Sequence, residues 1–166
     1  MEIVRTYKSL EVDGSASELS NLLTNNAIAT FSDSSDTLAK EELLLNHVFN
    51  QSYQPWIEII AVTELNDSTV ELHVLETNKL LSVFNIDTIG YQYTYTVNNS
   101  LISQIEMDTI PNSGYDYRTA DSLYNLRLTE LFDWMSLVYP EKYEQIGELN
   151  SESSKLILEL AEEKGR

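Results

Sequence analysis

The stretch that decides the fold is residues 90–110, GYQYTYTVNNSLISQIEMDTI. Three tyrosines and a valine alternate with polar residues over positions 91–97, so they share one face of a strand. Asn98 and Asn99 form a turn, and residues 101–110 return antiparallel to the first strand. The stretch predicts a β-hairpin that carries an aromatic stripe, Tyr91, Tyr93 and Tyr95, on one face.

Two further strands precede this hairpin. Residues 56–62 are apolar and β-branched, and residues 64–68 have the composition of a turn. Val70, Leu72 and Val74 then alternate with other residues, as in a half-buried strand. Residues 56–110 therefore predict a meander of four antiparallel strands, with a connection of undefined structure over residues 78–89.

Helical patterns precede the meander. Ile3, Val4, Tyr7 and Leu10 recur at helical spacing and predict an amphipathic first helix. Residues 15–18, SASE, form a capping box that begins a second helix ending near residue 23. Residues 27–32 then predict a short strand.

A third helix is expected from residue 36 or 37 to about residue 50, after a loop over residues 33–36. Its apolar positions Leu38, Leu44, Leu45, Val48 and Phe49 would form the buried stripe. This places His47 on the polar side. After the meander, residues 119–139 and 154–164 predict two more helices, the first ended by Pro140. Helices, then strands, then helices indicate the α+β class.

Composition excludes several function classes. The 166 residues include 10 Lys and Arg against 27 Asp and Glu, for a net charge of −17. A chain without basic clusters is not expected to bind nucleic acid or an anionic membrane surface. No cysteine is present, and the two histidines, His47 and His73, lack metal-site spacing, so neither a metal nor a cofactor is predicted. The N-terminus has no apolar leader, which favours the cytoplasm, although a secreted form with a trimmed leader would look the same.

The order of elements resembles the cone-shaped α+β domains called NTF2-like or SnoaL-like. Residues 22–31, LLTNNAIATF, resemble that family's passage from helix to short strand, and residues 59–62, 70–74, 90–95 and 101–105 resemble its later strands. The resemblance covers about residues 1–111, which leaves residues 112–166 as a C-terminal helical extension packed on the same domain. It implies a curved antiparallel sheet around three N-terminal helices, a pocket at the wide end of the cone, and a possible homodimer through the sheet.

The same resemblance implies a small apolar or aromatic ligand. The pocket would be lined by Tyr7, Phe31, Asp33, Trp56 and Tyr93, in a binding or accessory protein. Ketosteroid isomerase is a member of this family, and the comparison suggests an alternative: an isomerase, dehydratase or cyclase with Asp33 as general base and Tyr7 and Tyr93 as hydrogen-bond donors.

The aromatic stripe leaves further alternatives open. On the concave face of the sheet it would line the pocket. On the convex face it would form a dimer surface or the seat of the C-terminal helices, and the chain would then be a protein–protein interaction module. A separate alternative is an Asp–His dyad that pairs His73 with Asp33 or Glu58.

Overall fold

The computed structural model describes residues 2–32, 36–110, 117–147 and 150–165. Seven helices and six strands lie within these ranges. In chain order they are α1 (Glu2–Asp13), α2 (Ala16–Leu22), β1 (Leu23–Phe31), β2 (Thr37–Ala39), α3 (Lys40–Gln51), β3 (Trp56–Asn66), β4 (Thr69–Thr77), α4 (Lys79–Val83), β5 (Ile89–Asn98), β6 (Leu101–Thr109), α5 (Tyr117–Val138), α6 (Pro140–Glu144) and α7 (Ser151–Lys164).

The six strands form one sheet in the order β2-β1-β6-β5-β4-β3. Strands β3 to β6 pair as sequential antiparallel neighbours, which confirms the predicted meander. β1 runs parallel to β6, so the sheet is mixed rather than antiparallel throughout. Register shifts in the β3–β4 and β5–β6 pairs mark irregularities of the kind that bend strands, which suits a curved sheet.

The first two helices follow the sequence pattern closely. α1 buries Val4, Tyr7 and Lys8. At the start of α2 the predicted capping box is present: the backbone N–H of Glu18 donates to Ser15 Oγ at 3.2 Å, and the Ser15 N–H donates to the Glu18 carboxylate at 2.8 Å. These two bonds satisfy donors that a helix start otherwise leaves unpaired.

The predicted buried stripe of α3 is wrong at two positions. Leu45 and Val48 are exposed, whereas His47 is buried. The expected start was also early, because Thr37–Ala39 forms β2, which pairs with β1, and the helix begins only at Lys40. The face turned inward is fixed by contacts with Gly14: His47 Nε2 lies 3.0 Å from its carbonyl oxygen, and Gln51 donates to the same oxygen at 2.6 Å.

The aromatic stripe faces the helices. Tyr95 is fully buried, and its ring meets that of Tyr7 in α1 edge-on with centroids 6.0 Å apart. Tyr93 is buried in the same cluster. The alternative that placed the stripe on the convex face is therefore wrong. The convex face instead presents residues such as Trp56, which is 49% exposed. Its neighbour Ile57 points inward, and successive side chains of a strand point to opposite faces.

A second apolar cluster lies at the C-terminal helices. Leu131 and Met135 of α5 and Leu160 of α7 are buried there against Leu80 and Phe84 around α4. Pro140 occupies the first turn of α6, a position where its missing N–H costs nothing. The division of the chain at residue 111 stays a prediction.

Within the described residues, no helix combines the length and apolar character that a membrane crossing requires.

Candidate functional site

A cavity of about 200 Å³ lies between α1, α3 and the concave face of the sheet. We call it the inner cavity. Its apolar walls come from both strands and helices: Ala29, Phe31, Leu38, Leu43, Pro55, Ile57, Ile105 and Met107. Its polar groups come from α1, α3, β4 and β5: Tyr7, Glu11, Asn46, His47, Asn50, Glu76 and Tyr93.

A buried lysine joins the two acids of the inner cavity. Lys8 is 2% exposed, and its Nζ lies 2.7 Å from the Glu11 carboxylate and 2.9 Å from that of Glu76. The same ammonium lies 3.5 Å from the centroid of the Tyr93 ring. Lys8 itself is not among the residues that line the inner cavity. One ammonium therefore balances two carboxylates, which leaves a net charge of −1 when both acids are ionised.

The two phenols of the cavity lie beside these acids. Tyr93 OH donates to Glu76 Oε1 at 2.9 Å, the oxygen that also accepts from Lys8. Tyr7 lies close enough to Glu11 for this acid to raise the pKa of the phenol, after the larger effect of burial. Because a carboxylate can only accept, Tyr93 donates its single proton to Glu76. What these groups offer a bound molecule is therefore mainly hydrogen-bond acceptors.

The protonation states follow from burial and from these contacts. Burial alone would lower the pKa of Lys8, but Glu11 and Glu76 raise it well above its usual range. Burial raises the pKa of the Glu11 carboxyl, an effect that Lys8 counteracts. Burial also raises the pKa of Tyr7, with smaller contributions from Glu11 and Glu76. The pKa of Tyr93 is raised by burial and by Glu76. Both phenols are thus neutral at physiological pH.

His47 is the other titratable group on the cavity wall. Burial lowers its pKa, so the ring is neutral near pH 7. A carbonyl oxygen can only accept, so the contact with Gly14 places the ring proton on Nε2. Nδ1 then carries the free lone pair. A neutral imidazole with a fixed tautomer is suited to accept a proton from a water molecule.

The structure brings together part of the predicted site. Tyr7, Phe31 and Tyr93 line the inner cavity, while Trp56 is not among its lining residues. Asp33 lies outside the described residues. Of the two hydroxyl protons that the isomerase alternative assigned to an oxyanion, that of Tyr93 is donated to Glu76.

Sequence reasoning missed the acids and the histidine of this cavity. Glu11 and Glu76 are 65 positions apart and meet only through Lys8. One signal was available: Lys8 falls one residue after Tyr7, beside the apolar face of α1, and Glu11 follows at the i+3 spacing of a helical ion pair. In the residues that the structure describes, no group of three His, Asp or Glu side chains is arranged to hold a metal ion.

Comparison with solved structures confirms the fold. A proposed polyketide cyclase from Sinorhizobium meliloti is 15% identical with a TM-score of 0.54, over 64% of this chain and 94% of its own. A proposed ketosteroid isomerase from Kribbella flavida is 15% identical with a TM-score of 0.53, and the match covers 70% of this chain and 84% of that protein. An NTF2-like protein from Cytophaga hutchinsonii is 12% identical with a TM-score of 0.52, and the match covers 66% of this chain and 88% of that protein. The chain therefore has the α+β cone fold of the NTF2-like and SnoaL-like superfamily.

The family assignment comes from a sequence model. The model described as Arylesterase matches residues 4–112, from α1 to just beyond β6. The chain belongs to this family. No curated protein matches the sequence. The matched residues contain every residue that lines the inner cavity, whereas α5, α6 and α7 lie beyond the match.

Proposed function

We propose that the inner cavity binds a small, ring-sized apolar molecule that carries a protonated amine or another strong hydrogen-bond donor. The observation that carries the proposal is the direction of the hydrogen bonds. Tyr93 donates to Glu76, and the carboxylates of Glu11 and Glu76 can only accept, so this part of the wall presents mainly acceptors to the cavity. Among the described residues that line it there is no lysine or arginine. An anionic ligand would meet two carboxylates there, and a cationic one would complete their charge balance.

The size of the cavity limits the ligand. A cavity of about 150 Å³ lined by apolar side chains holds one benzene molecule. The inner cavity, at about 200 Å³, has room for one such ring with a short substituent. Its walls include the aromatic side chains Phe31 and Tyr93, which suit a ring and can attract a cation. Benzylamine has these properties and is a suitable probe.

Isothermal titration with three benzyl compounds tests the proposal. We expect benzylamine to bind more tightly than the neutral benzyl alcohol, and benzoate not to bind. Glu76→Gln should weaken benzylamine binding by about ten- to hundredfold, since a hydrogen bond to a charged group contributes roughly 1.5–3 kcal/mol. Glu58→Gln is the matched control, because Glu58 is exposed on β3 and does not line the cavity. Equal affinity for all three compounds, or no binding of benzylamine, would refute the proposal.

A second candidate function is the hydrolysis of a small aryl ester, as the name of the family suggests. The observation that favours it is the neutral His47, with its Nε2 proton held by Gly14. His47 Nδ1 would take a proton from water while the water oxygen attacks the ester carbonyl carbon. The amides of Asn46 and Asn50 are the nearby donors for the resulting oxyanion. The intermediate would then expel the phenolate, which recovers the proton from His47.

Phenyl acetate is a direct test of this second function. We expect hydrolysis above the buffer rate in the wild type and a loss of about a hundredfold or more in His47→Gln, the usual range for a general base. His73→Gln is the control, since His73 lies on β4 outside the cavity, 3.2 Å from Glu71. A wild-type rate equal to the buffer rate would exclude this function and leave ligand binding as the proposal. The isomerase alternative with Asp33 as base stays a prediction.

A further inference from the structure

A second cavity of about 240 Å³ adjoins the inner one. We call it the outer cavity. The two cavities share four wall residues: Asn50, Pro55, Ile57 and Glu76. Glu76 therefore borders both volumes. Each cavity alone is smaller than the roughly 300 Å³ at which pockets for drug-sized ligands begin, whereas the two side by side exceed that size.

The C-terminal extension supplies part of the outer cavity. Tyr124 of α5 lines it together with Tyr53, Leu81, Ile89 and Tyr91. The Tyr124 ring packs against Phe84, with centroids 5.8 Å apart, so the core around α4 holds it in place. Because α5 follows the matched family region, the outer cavity is completed by a part of the chain that the family model does not cover.

One buried polar group of the outer cavity lacks a partner. Tyr53 is 2% exposed, and its hydroxyl has no hydrogen-bond partner among the described residues. Its ring is fixed edge-on by Phe49, with centroids 5.3 Å apart. Burial raises the pKa of Tyr53, with a further contribution from Tyr124, so the hydroxyl stays protonated. A buried hydroxyl without a partner is unfavourable, and a molecule in the outer cavity could satisfy it.

We propose that the two cavities hold one ligand with two ring-sized apolar ends, joined by a cationic or donor group that lies against Glu76. This inference rests on the proposed function, because it places the donor of the ligand at the same acid. The inference adds that the C-terminal extension, through Tyr124, determines how long a ligand the two cavities can hold. The inner ring would lie near Phe31 and Tyr93, and the outer ring near Tyr53 and Tyr124.

Dibenzylamine tests the inference, because its charged nitrogen lies between two benzyl groups. With the full chain we expect dibenzylamine to bind at least tenfold more tightly than benzylamine. Tyr124→Ala should remove that gain and leave benzylamine binding unchanged. Tyr143→Ala is the matched control, since Tyr143 lies on α6, is 43% exposed and lines neither cavity.

A second measurement does not depend on a variant. In the wild type, nuclear Overhauser contacts should join one benzyl ring to Phe31 or Tyr93 and the other to Tyr53 or Tyr124. Contacts from both rings to the inner pair alone, no gain for dibenzylamine, or a gain that survives in folded Tyr124→Ala would overturn the inference. If benzylamine binds and dibenzylamine gains nothing, only the two-cavity inference fails. If neither amine binds, the proposed function fails with it.

Discussion

Replacement of Lys8 by methionine should destabilise the protein strongly. The substitution keeps most of the length of the side chain but removes its charge from a position that is 2% exposed. Glu11 and Glu76, which now lie 2.7 and 2.9 Å from Lys8 Nζ, would be left without a cation between them. Loss of one partner from a buried ion pair costs about 3–5 kcal/mol when the remaining charge stays buried. Glu11 and Glu76 are 27% and 24% exposed, so we expect a cost toward the lower end of that range.

This cost is a large share of the total stability. A domain is stable by roughly 5–15 kcal/mol, so Lys8→Met should remain folded with a small margin or be partly unfolded at 25 °C. For a chain of this length, each kcal/mol shifts the melting temperature by about 2–4 °C. We therefore expect the melting temperature to fall by roughly 6–20 °C. Urea unfolding followed by circular dichroism measures the free energy of unfolding directly.

The pH dependence identifies the cause. Burial raises the pKa of the Glu11 carboxyl, and without Lys8 no ammonium counteracts that rise in the folded variant. A carboxyl with a raised folded pKa contributes stability at low pH and loses it as pH rises. The deficit of Lys8→Met should thus be smaller at pH 5 than at pH 7, and adding Glu11→Gln and Glu76→Gln should recover part of it.

The control for Lys8→Met is Lys155→Met, an exposed position on α7 that should change stability by less than about 0.5 kcal/mol. A Lys8→Met variant as stable as this control at pH 7 would refute the reasoning. So would a deficit that does not change between pH 5 and pH 7.

Three further predictions concern single positions. Gly14→Ala should destabilise by about 1–3 kcal/mol in urea unfolding, because the new Cβ would lie 2.7 Å from the side chain of Leu10. Tyr95→Phe should raise stability by about 1 kcal/mol in a thermal melt, since the buried hydroxyl has no partner among the described residues; a lower melting temperature would contradict this. His47 has a lowered folded pKa, so its contribution to stability is present above pH 6.5 and lost as pH falls through that pKa. Urea midpoints between pH 7.5 and 5 should show this loss in the wild type and not in His47→Gln.

Local patterns predicted most of the fold. The alternation around Tyr93 and the turn at Asn98 were sufficient to define β5 and β6, because a strand with one buried face has a period of two residues. The capping box at Ser15 was equally local. The parallel pairing of β1 with β6 was not predicted, since it joins residues such as Ala29 and Ile105 that are distant in sequence.

The face of α3 shows why the site was harder to predict. Leu45 and Val48 have the hydrophobicity of core residues but are exposed, while His47 is buried. Hydrophobicity alone assigned the wrong face, because the orientation of the helix depends on contacts of His47 and Gln51 with the Gly14 carbonyl. No pattern within α3 reveals an acceptor on another element. The pairing of Glu76 with Lys8 was hidden for the same reason.

The position of Lys8, Glu11 and Glu76 at the cavity wall explains these charged residues better than a contribution to the stability of the fold does. A buried ion pair is often no more stabilising than apolar side chains of similar volume. Lys8 could therefore be replaced, together with Glu11 and Glu76, by a set of apolar residues without loss of stability. Such a set would leave the inner cavity without acceptors and without charge. Because Glu11 and Glu76 both line the cavity while Lys8 lies behind them, the arrangement holds two carboxylates beside apolar walls. That arrangement suits the ligand that we propose, a small apolar molecule with a cationic group.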